Sequence, residues 1–416
     1  MAFPNEFRLL TPTPTSAPHH LIVGAGAAGL SLAYALTRHP ATAAHPITLL
    51  EADEKRANDR TWSYWERTDA PGIFAELPGL VSAEWATAEV RTATERLLLP
   101  LAPYCYRTIR GLDFYNAMRA HLAPLPHVRW ERATVTDVTE TPDGATAHTA
   151  DGRHFTGTWL YDSRFRYLDL PRQPGRYQYL AQHFVGWEIE TVRPAFDPAV
   201  ATLFDFRTPQ HGQMRFHYVL PRAAHRALVE FTLFSADLLA PEAYAAELRR
   251  YLLEEHGLAA ADYRIVATEA GVIPMTDQPL PATTATRRRI VHIGSRGGAS
   301  KPSTGFTFYR IQQRTAALVA ALARTATPWV AEDARFARRF RLYDAMLLDV
   351  LSHHGPRAAA IFAQLFRRNP PARVLAFLNE ETSFAADVAV MNSVPWLPFV
   401  AALGRQLRRG LPALRA

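Results

Sequence analysis

The stretch from His20 to Leu36 reads HLIVGAGAAGLSLAYAL and predicts the fold of this chain. Leu21 to Val23 form a short apolar run typical of a buried parallel strand, and the apolar, alanine-rich segment after Gly29 is typical of a helix. The intervening glycines have G-x-G-x-x-G spacing, which allows a tight turn, close approach of a pyrophosphate and close helix–strand packing. We therefore predict a dinucleotide site at the helix N-terminus, formed by Gly24, Gly26, Ala27, Ala28 and Gly29.

A second predicted strand, Ile47 to Leu50, ends in the acidic residue Glu51, 22 residues after Gly29. An acid at about this distance accepts hydrogen bonds from ribose hydroxyls in dinucleotide-binding folds. The strand, the helix and the acid together make the glycine motif specific. The alternative interpretation is a glycine-rich turn in another α/β fold.

The composition limits the possible partners. The 416 residues can form two or three packed units, and the formal charge of +7 comes almost entirely from arginine, since Lys55 and Lys301 are the only lysines. Arginine clusters near the C-terminus suit either an anionic membrane surface or a solvated face, and both interpretations stay open. No nucleic-acid-binding module is recognisable, so we expect no nucleic acid partner.

Cysteine and histidine usage predicts neither a disulfide nor a metal site. Cys105 is the only cysteine, which suits a reducing compartment, and no H-E-x-x-H or comparable histidine cluster occurs. Residues 1–18 do not resemble a signal peptide, and no run of about 18 apolar residues appears. We expect a cytoplasmic protein that is soluble or peripherally attached to a membrane.

The remaining sequence predicts an antiparallel sheet inserted into the α/β unit. Alternation with period two extends from about Tyr177 to Ser235, and Val128 to Thr149 contains a hairpin signal. Residues 289–294 predict another buried strand, followed by a loop rich in glycine and serine and a helix to about Arg324. From Ala331 onwards the pattern is helical.

Several short motifs, in this order and spacing, resemble one protein family. They are residues 21–29, 59–65, 110–115, 161–164, 204–207, 218–221, 228–232, 271–275 and 297–308. From about His20 to Phe399 the chain resembles the lycopene cyclase family, the flavin-dependent carotenoid cyclases, and most closely its bacterial β-cyclases.

The resemblance implies a Rossmann-type FAD-binding α/β domain with an inserted antiparallel substrate sheet and a C-terminal helical region. The predicted boundaries assign residues 18–116, 150–172 and 268–325 to the FAD-binding domain. Residues 117–149 and 173–267 are assigned to the substrate elements, and residues 326–416 to the helical region.

The resemblance also implies the reaction. The family converts the linear ψ-ends of lycopene into β-rings, giving γ- and β-carotene, with reduced FAD and no net redox change. Such an enzyme is an isomerase, an intramolecular lyase, and needs NAD(P)H only as the reductant of the flavin. The expected partners are lycopene or another acyclic carotene and a membrane surface. The extent of cyclisation, the exact carotene and the oligomeric state stay open.

Two other functions remain possible at this point. One is a redox flavoenzyme, such as an FAD monooxygenase or an isoprenoid reductase. The other is a carrier of carotenoid or flavin without catalysis.

Glu230 is the predicted catalytic acid, because a carboxyl group in an apolar strand has a raised pKa and can stay protonated. Many family members have two consecutive acids in this motif, whereas here Phe231 follows and is predicted to contact substrate. Asp205 and Arg207 share one face of a strand and are expected to form an ion pair or to shape the pocket near the acid. The alternative for Glu230 is an ordinary solvent-facing glutamate.

Other candidates are assigned to substrate, cofactor or a lid. Glu380 and Glu381 resemble the double-acid motif but lie in the helical region, where they are expected to cap a helix, form a lid or line the substrate tunnel. For Trp62, Tyr64 and Trp65, lining of a polyene tunnel and core packing are both open. The expected cofactor-binding residues beyond the first motif are Arg60, Asp162, Gly294, Gly298, Ser303, Thr304 and Gly305.

Overall fold

The computed structural model describes residues 17–70, 72–77, 79–283, 288–330 and 334–412. Its strands are β1 (His20–Val23), β2 (Ile47–Glu51), β3 (Thr61–Arg67), β4 (Ala83–Trp85), β5 (Thr87–Arg91), β6 (Arg96–Pro100), β7 (Tyr104–Arg110), β8 (Val128–Arg132), β9 (Val135–Glu140), β10 (Ala145–Thr149), β11 (His154–Gly157), β12 (Trp159–Asp162), β13 (Tyr179–Thr191), β14 (Val200–Asp205), β15 (Met214–Ala223), β16 (Arg226–Ser235), β17 (Tyr263–Thr276) and β18 (Ile290–His292). Its helices are α1 (Ala27–Arg38), α2 (Gly111–Leu122), α3 (Pro241–His256), α4 (Phe308–Thr325), α5 (Ala334–Arg368), α6 (Pro371–Leu378), α7 (Phe384–Met391) and α8 (Trp396–Arg408).

A five-stranded parallel sheet in the order β18-β12-β1-β2-β8 forms the nucleotide-binding half. Its strands are short and apolar, and Leu21, Leu49 and Leu160 have no exposed surface. Such strands form because both faces of a parallel sheet are covered. Here α1 and α4 contribute side chains to the core on one face, and β10 to the core on the other.

A seven-stranded sheet in the order β17-β13-β16-β15-β14-β5-β6 forms the second half. Its pairs are antiparallel except β14 with β5. Side chains alternate between two faces. One face packs against α3, and the other contributes to a core with α5 and α6. The predicted fold class, a Rossmann-type α/β domain with an inserted antiparallel sheet and C-terminal helices, is confirmed.

Strand pairing differs from the predicted division at two places. β8 pairs with β2 and completes the parallel sheet, although residues 117–149 were assigned to the substrate elements. β5 and β6 extend the seven-stranded sheet, although residues 18–116 were assigned to the FAD-binding domain. Backbone hydrogen bonds between strands distant in sequence cause both differences. The expected hairpin forms between β9 and β10. The division as a whole stays a prediction.

The C-terminal helices α5 and α6 pack on one face of the seven-stranded sheet. α5 changes direction at His354, whose φ of −136° is not helical. Trp396, Leu397 and Val400 on α8 are exposed. None of the helices in the described part of the chain meets, by itself, the length and hydropathy that crossing a membrane requires. α7 and α8 meet them only as a pair, and the two helices are bent by 117°.

Candidate active site

The turn after β1 has the geometry of a dinucleotide cradle. Gly24 has a φ of +95°, which favours glycine. A Cβ at Gly29 would lie 1.9 Å from the carbonyl oxygen of Gly24, whereas a Cβ at Gly26 would meet no atom within 4 Å. The Ala25 N–H donates to the Glu51 carboxylate at 2.6 Å, so this acid lies at the turn. α1 begins at Ala27, so its first amide groups are available to an anion.

The loop after β18 lies next to this cradle. A Cβ at Gly294 would lie 3.0 Å from the Cβ of Ala28 at the start of α1. Gly298 and Gly305 have φ values of +74° and +72°, so the loop turns sharply twice. The buried Thr304 hydroxyl has no hydrogen-bond partner within the described chain and is available to a ligand. The cradle and this loop are therefore adjacent parts of one candidate dinucleotide site.

Of three predicted cofactor-binding side chains, Asp162 and Ser303 form contacts within the protein, and the role of Arg60 stays a prediction. Asp162 is fully buried, and its carboxylate forms ion pairs with Arg164 at 2.9 Å and with Arg296 at 3.2 Å. The Ser303 hydroxyl donates to Asp344 of α5 at 2.5 Å. The Arg60 side chain is mainly exposed, and its nearest ionic partner is Asp59 at 3.8 Å. Burial and ion pairing thus assign Asp162 and the Ser303 side chain to structural contacts.

A pocket of about 110 Å³ lies between this loop, the start of β3 and the seven-stranded sheet. Its walls contain six aromatic rings. The lining residues are Thr61, Trp62, Ser63, Tyr106, Gln182, Phe184, Tyr218, Glu230, Thr232, Ile273, Gly305, Phe306, Thr307 and Phe308. The fold therefore brings the predicted acid and the predicted flavin loop to the same cavity.

Glu230 is the only acidic residue in this lining. It lies on β16 between Gly186 of β13 and Tyr218 of β15. Its surface accessibility is intermediate because it faces the cavity. Burial, and then the nearby Glu269, raise its pKa well above the usual value for a glutamate. The group can therefore stay protonated at neutral pH.

Glu269 is a second carboxyl group that the sequence analysis missed. It lies on β17 opposite Gly186, accepts a hydrogen bond from Thr61 at 2.8 Å, and is hydrogen-bonded to Glu230. A signal in the sequence was available, because Glu269 lies two positions before the motif at residues 271–275. Alternation along a strand places Glu269 on the same face as Ile273. The second carboxylate thus comes from another strand, not from the residue after Glu230.

Three predicted site residues lie on the opposite face of the sheet. Phe231 is fully buried in the core with α3 and stacks near His217. Asp205 pairs with His217 in register, binds Arg207 at 2.6 Å and accepts from Tyr251 of α3 at 2.8 Å. Because side chains alternate along a strand, Phe231 cannot share the face of Glu230. Asp205 and Arg207 form the expected ion pair, but the alternative that they shape the pocket near the acid is wrong. The prediction that Phe231 contacts substrate is also wrong.

The three β3 aromatics occupy different surroundings. Trp62 lines the pocket and stacks on Phe308, with ring centroids 5.2 Å apart. Tyr64 belongs to the core with α1 and α2, so for this residue core packing is confirmed and the substrate contact is wrong. Trp65 packs behind Phe306, and its indole N–H donates to Leu375 at 3.2 Å, so it is not part of the lining. The pocket instead uses Tyr106 and Tyr218, which were not predicted.

The acidic pair near the C-terminus lies outside this pocket. Glu380 pairs with Lys301 and Arg310, each at 2.7 Å, and Glu381 accepts from Tyr104 at 2.9 Å. Both residues thus connect the helical region to the rest of the molecule. Within the described residues, no three histidine, cysteine or acidic side chains are placed to hold a metal ion.

Comparison with known structures defines the class of fold. A flavoprotein/dehydrogenase from Cytophaga hutchinsonii is 14% identical, with a TM-score of 0.64 over 94% of this chain and 100% of that chain. HpxO of Klebsiella pneumoniae, determined with FAD and uric acid, is 16% identical, with a TM-score of 0.57 over 91% and 97%. The fold is that of the Rossmann-type FAD-dependent flavoproteins.

Sequence comparison defines the family. The lycopene cyclase protein model matches residues 20–403. A lycopene beta-cyclase from Pseudescherichia vulneris is 26% identical over 290 residues, which is 69% of each chain. This chain belongs to the lycopene cyclase family.

Proposed function

We propose that this protein is a lycopene β-cyclase that converts the ψ-ends of lycopene into β-rings, giving γ- and β-carotene without net redox change. One observation carries the proposal: Glu230 is a carboxyl group of raised pKa that lines an aromatic pocket beside the glycine-rich loop. A carboxyl group of raised pKa can act as a general acid, because it can keep its proton at neutral pH and donate it to a substrate.

FAD would be held by the Gly24–Gly29 cradle, by Glu51 and by the loop that contains Gly294, Thr304 and Gly305. Two features support this fit, namely the open space at Gly26 and the unpaired hydroxyl of Thr304. When bound in its reduced, anionic form, FAD supplies fixed negative charge that stabilises a nearby cation. NAD(P)H would serve only to reduce it.

The reaction begins when Glu230 donates its proton to a carbon of the terminal double bond. The O–H bond breaks, a C–H bond forms, and the neighbouring carbon becomes a cation. An internal double bond attacks this cation and closes the ring, and a ring proton then returns to the Glu230 carboxylate. Atoms and electrons balance without a co-reactant, so substrate and product are isomers.

The aromatic walls have two functions in this proposal. The rings of Trp62, Tyr106 and Tyr218 present π electrons that stabilise a cation by about 0.5–2 kcal/mol each. They also exclude water, which would otherwise capture the cation as an alcohol. An aromatic, mainly apolar pocket therefore suits cyclisation.

We also propose that the protein attaches peripherally to the cytoplasmic face of a membrane that holds the carotene. Phe384 of α7 and Trp396, Leu397 and Val400 of α8 are exposed apolar side chains, and Arg408 ends α8. Apolar residues beside cations suit an anionic lipid surface. Flotation with anionic vesicles tests this, since Trp396→Glu should lower the bound fraction and Leu98→Glu, at another exposed apolar residue, should not.

Expression in cells that accumulate lycopene, followed by pigment analysis, tests the proposed reaction. We expect cyclic carotenes with the unchanged protein and none with Glu230→Gln, in which the folded protein and its flavin content are retained. Stoichiometric consumption of NADPH or oxygen per turnover would instead identify the alternative, a redox flavoenzyme such as a monooxygenase or isoprenoid reductase.

A further inference from the structure

Glu230 and Glu269 are opposite the same residue. Gly186 on the central strand β13 pairs with Glu230 of β16 on one side and with Glu269 of β17 on the other. A Cβ at Gly186 would lie 2.7 Å from the Glu230 Cγ and 3.2 Å from the Glu269 Cγ. The absent side chain leaves a gap across which the two carboxyl groups meet and form a hydrogen bond.

We propose that Glu269 is a positioning residue that shares a single proton with Glu230, so that the two carboxyl groups act as one acid–base pair. This inference rests on the proposed cyclase function. It adds a second carboxyl group that does not line the substrate pocket and acts only through Glu230.

The surroundings distribute the proton unequally. Burial raises the pKa of Glu269, but the Thr61 hydroxyl, which donates to it at 2.8 Å, and the nearby Arg222 act against this increase, so its negative charge is better stabilised than that of Glu230. Glu230 faces the aromatic cavity, where a charge is poorly solvated. The proton therefore belongs mainly on Glu230, which is the carboxyl group next to the substrate. Two adjacent carboxylates resist a second ionisation, so the pair keeps one proton over a wide pH range.

The same pair also explains how the proton returns. After Glu230 protonates the substrate carbon, two carboxylates lie side by side next to a carbocation. Their mutual repulsion makes Glu230 a strong base at that moment, which favours removal of the ring proton. The C–H bond breaks, the O–H bond of Glu230 forms again, and the pair returns to its starting state with no net change in protons or electrons.

The other titratable and charged groups near the pair do not replace it. Burial raises the pKa values of Tyr106 from β7 and Tyr218 from β15, so both phenols stay neutral. Arg222 of β15 and Glu188 of β13 lie on the Glu269 side. Glu188 is held in an ion pair with Arg226 at 2.6 Å. The alkaline limit of activity therefore reports loss of the shared proton.

The experiment measures kcat and KM for the flavin-loaded protein over a range of pH, with lycopene in vesicles. For Glu269→Gln we expect an alkaline limb shifted to lower pH by one unit or more, and kcat lowered at least tenfold with KM changed less than twofold. Glu269→Asp keeps the charge and should retain the alkaline limb of the unchanged protein. The matched control is Glu190→Gln. Glu190 lies four positions after Gly186 on β13, its side chain is 30% exposed, and its replacement should leave the pH dependence of kcat unchanged.

A further variant tests the geometry without removing either acid. Gly186→Ala places a methyl group between the carboxyl groups and should shift the limb in the same direction as Glu269→Gln. Folding of each variant is monitored by thermal unfolding and by flavin content. If Glu269→Gln does not fold, Glu269→Asp and Gly186→Ala carry the test.

The pairing would be overturned if Glu269→Gln kept the alkaline limb of the unchanged protein and a kcat within twofold of it. If Glu269→Gln does not fold, the same result for Gly186→Ala would overturn the pairing. Either result would leave the proposed function intact. If the unchanged protein forms no cyclic carotene, the proposed function itself fails, and the two outcomes are thus distinguishable.

Discussion

Lys301, in the loop after β18, forms a buried ion pair with Asp344 of α5, with the Lys301 Nζ 2.9 Å from a carboxylate oxygen. The Lys301 side chain is only 4% exposed, and its ammonium also lies 2.7 Å from Glu380. The predicted flavin loop is therefore joined to the C-terminal helices by charges that are shielded from water. Such pairs are costly to break, because removal of one partner leaves an uncompensated buried charge.

Replacement of Lys301 by methionine should accordingly destabilise the protein. The two carboxylates would lose their shared cation, and we expect the free energy of unfolding to fall by about 3–5 kcal/mol, measured by urea denaturation. Lys55→Met removes the only other lysine. Its acidic neighbours Asp53 and Asp59 are partly exposed, so the change should cost about 1 kcal/mol or less. Equal losses in the two variants would contradict this interpretation.

The same cluster predicts a pH dependence of stability. Burial acts to raise the pKa of Glu380, but Lys301 and Arg310 outweigh it and hold this pKa at about 2, below the usual 4.5. Because the folded-state pKa is lowered, the stabilisation is complete above about pH 4.5 and is lost as the pH falls towards 2. At pH 6 the free energy of unfolding of the unchanged protein should be about 3 kcal/mol larger than that of Glu380→Gln, and this difference should narrow from pH 5 to pH 3. A difference independent of pH would refute the assignment.

Two glycines of the first motif should respond differently to alanine. Gly29→Ala places a methyl group 1.9 Å from the Gly24 carbonyl oxygen, so we expect lower stability of the flavin-free protein. At Gly26 the same methyl group meets no protein atom within 4 Å, so flavin-free stability should stay the same. FAD affinity should nevertheless fall, because this space is where a pyrophosphate approaches the backbone. Thermal unfolding and FAD titration measure the two effects, and tight FAD binding by Gly26→Ala would argue against this location.

The position of Asp205 on the far side of the sheet predicts a structural phenotype. Asp205→Asn removes the charge that binds Arg207 but keeps an acceptor for Tyr251, so unfolding should become easier by about 1–3 kcal/mol. The folded variant should still form cyclic carotene when assayed below its unfolding temperature. Loss of product formation by an equally stable Asp205→Asn variant would instead place this residue in the chemistry.

The accuracy of the sequence predictions depended on whether a feature is local. The turn at Gly24 and the strands on either side of the first helix were predicted correctly, since each depends on neighbouring residues and their spacing. The helix begins at Ala27, inside the glycine motif, rather than after Gly29. The contact of Glu51 with a ribose stays a prediction. For Asp205 and Phe231 the alternation was visible, but which face would be buried against α3 was not. That choice depends on how the sheet packs, so the predictions that Asp205 shapes the pocket and that Phe231 contacts substrate were wrong, whereas the ion pair of Asp205 with Arg207 was predicted correctly.

The sequence by itself determined the class of fold and singled out Glu230 on β16 as the candidate acid, because strand period, glycine spacing and motif order are properties of contiguous chain. Only the tertiary structure decided what accompanies that acid. Glu269 lies 39 positions from Glu230 along the chain, and strand pairing on both sides of Gly186 brings the two together. Their low-dielectric surroundings, and with them the raised pKa of Glu230, arise only when the sheet, the loop after β18 and the start of β3 close around one cavity.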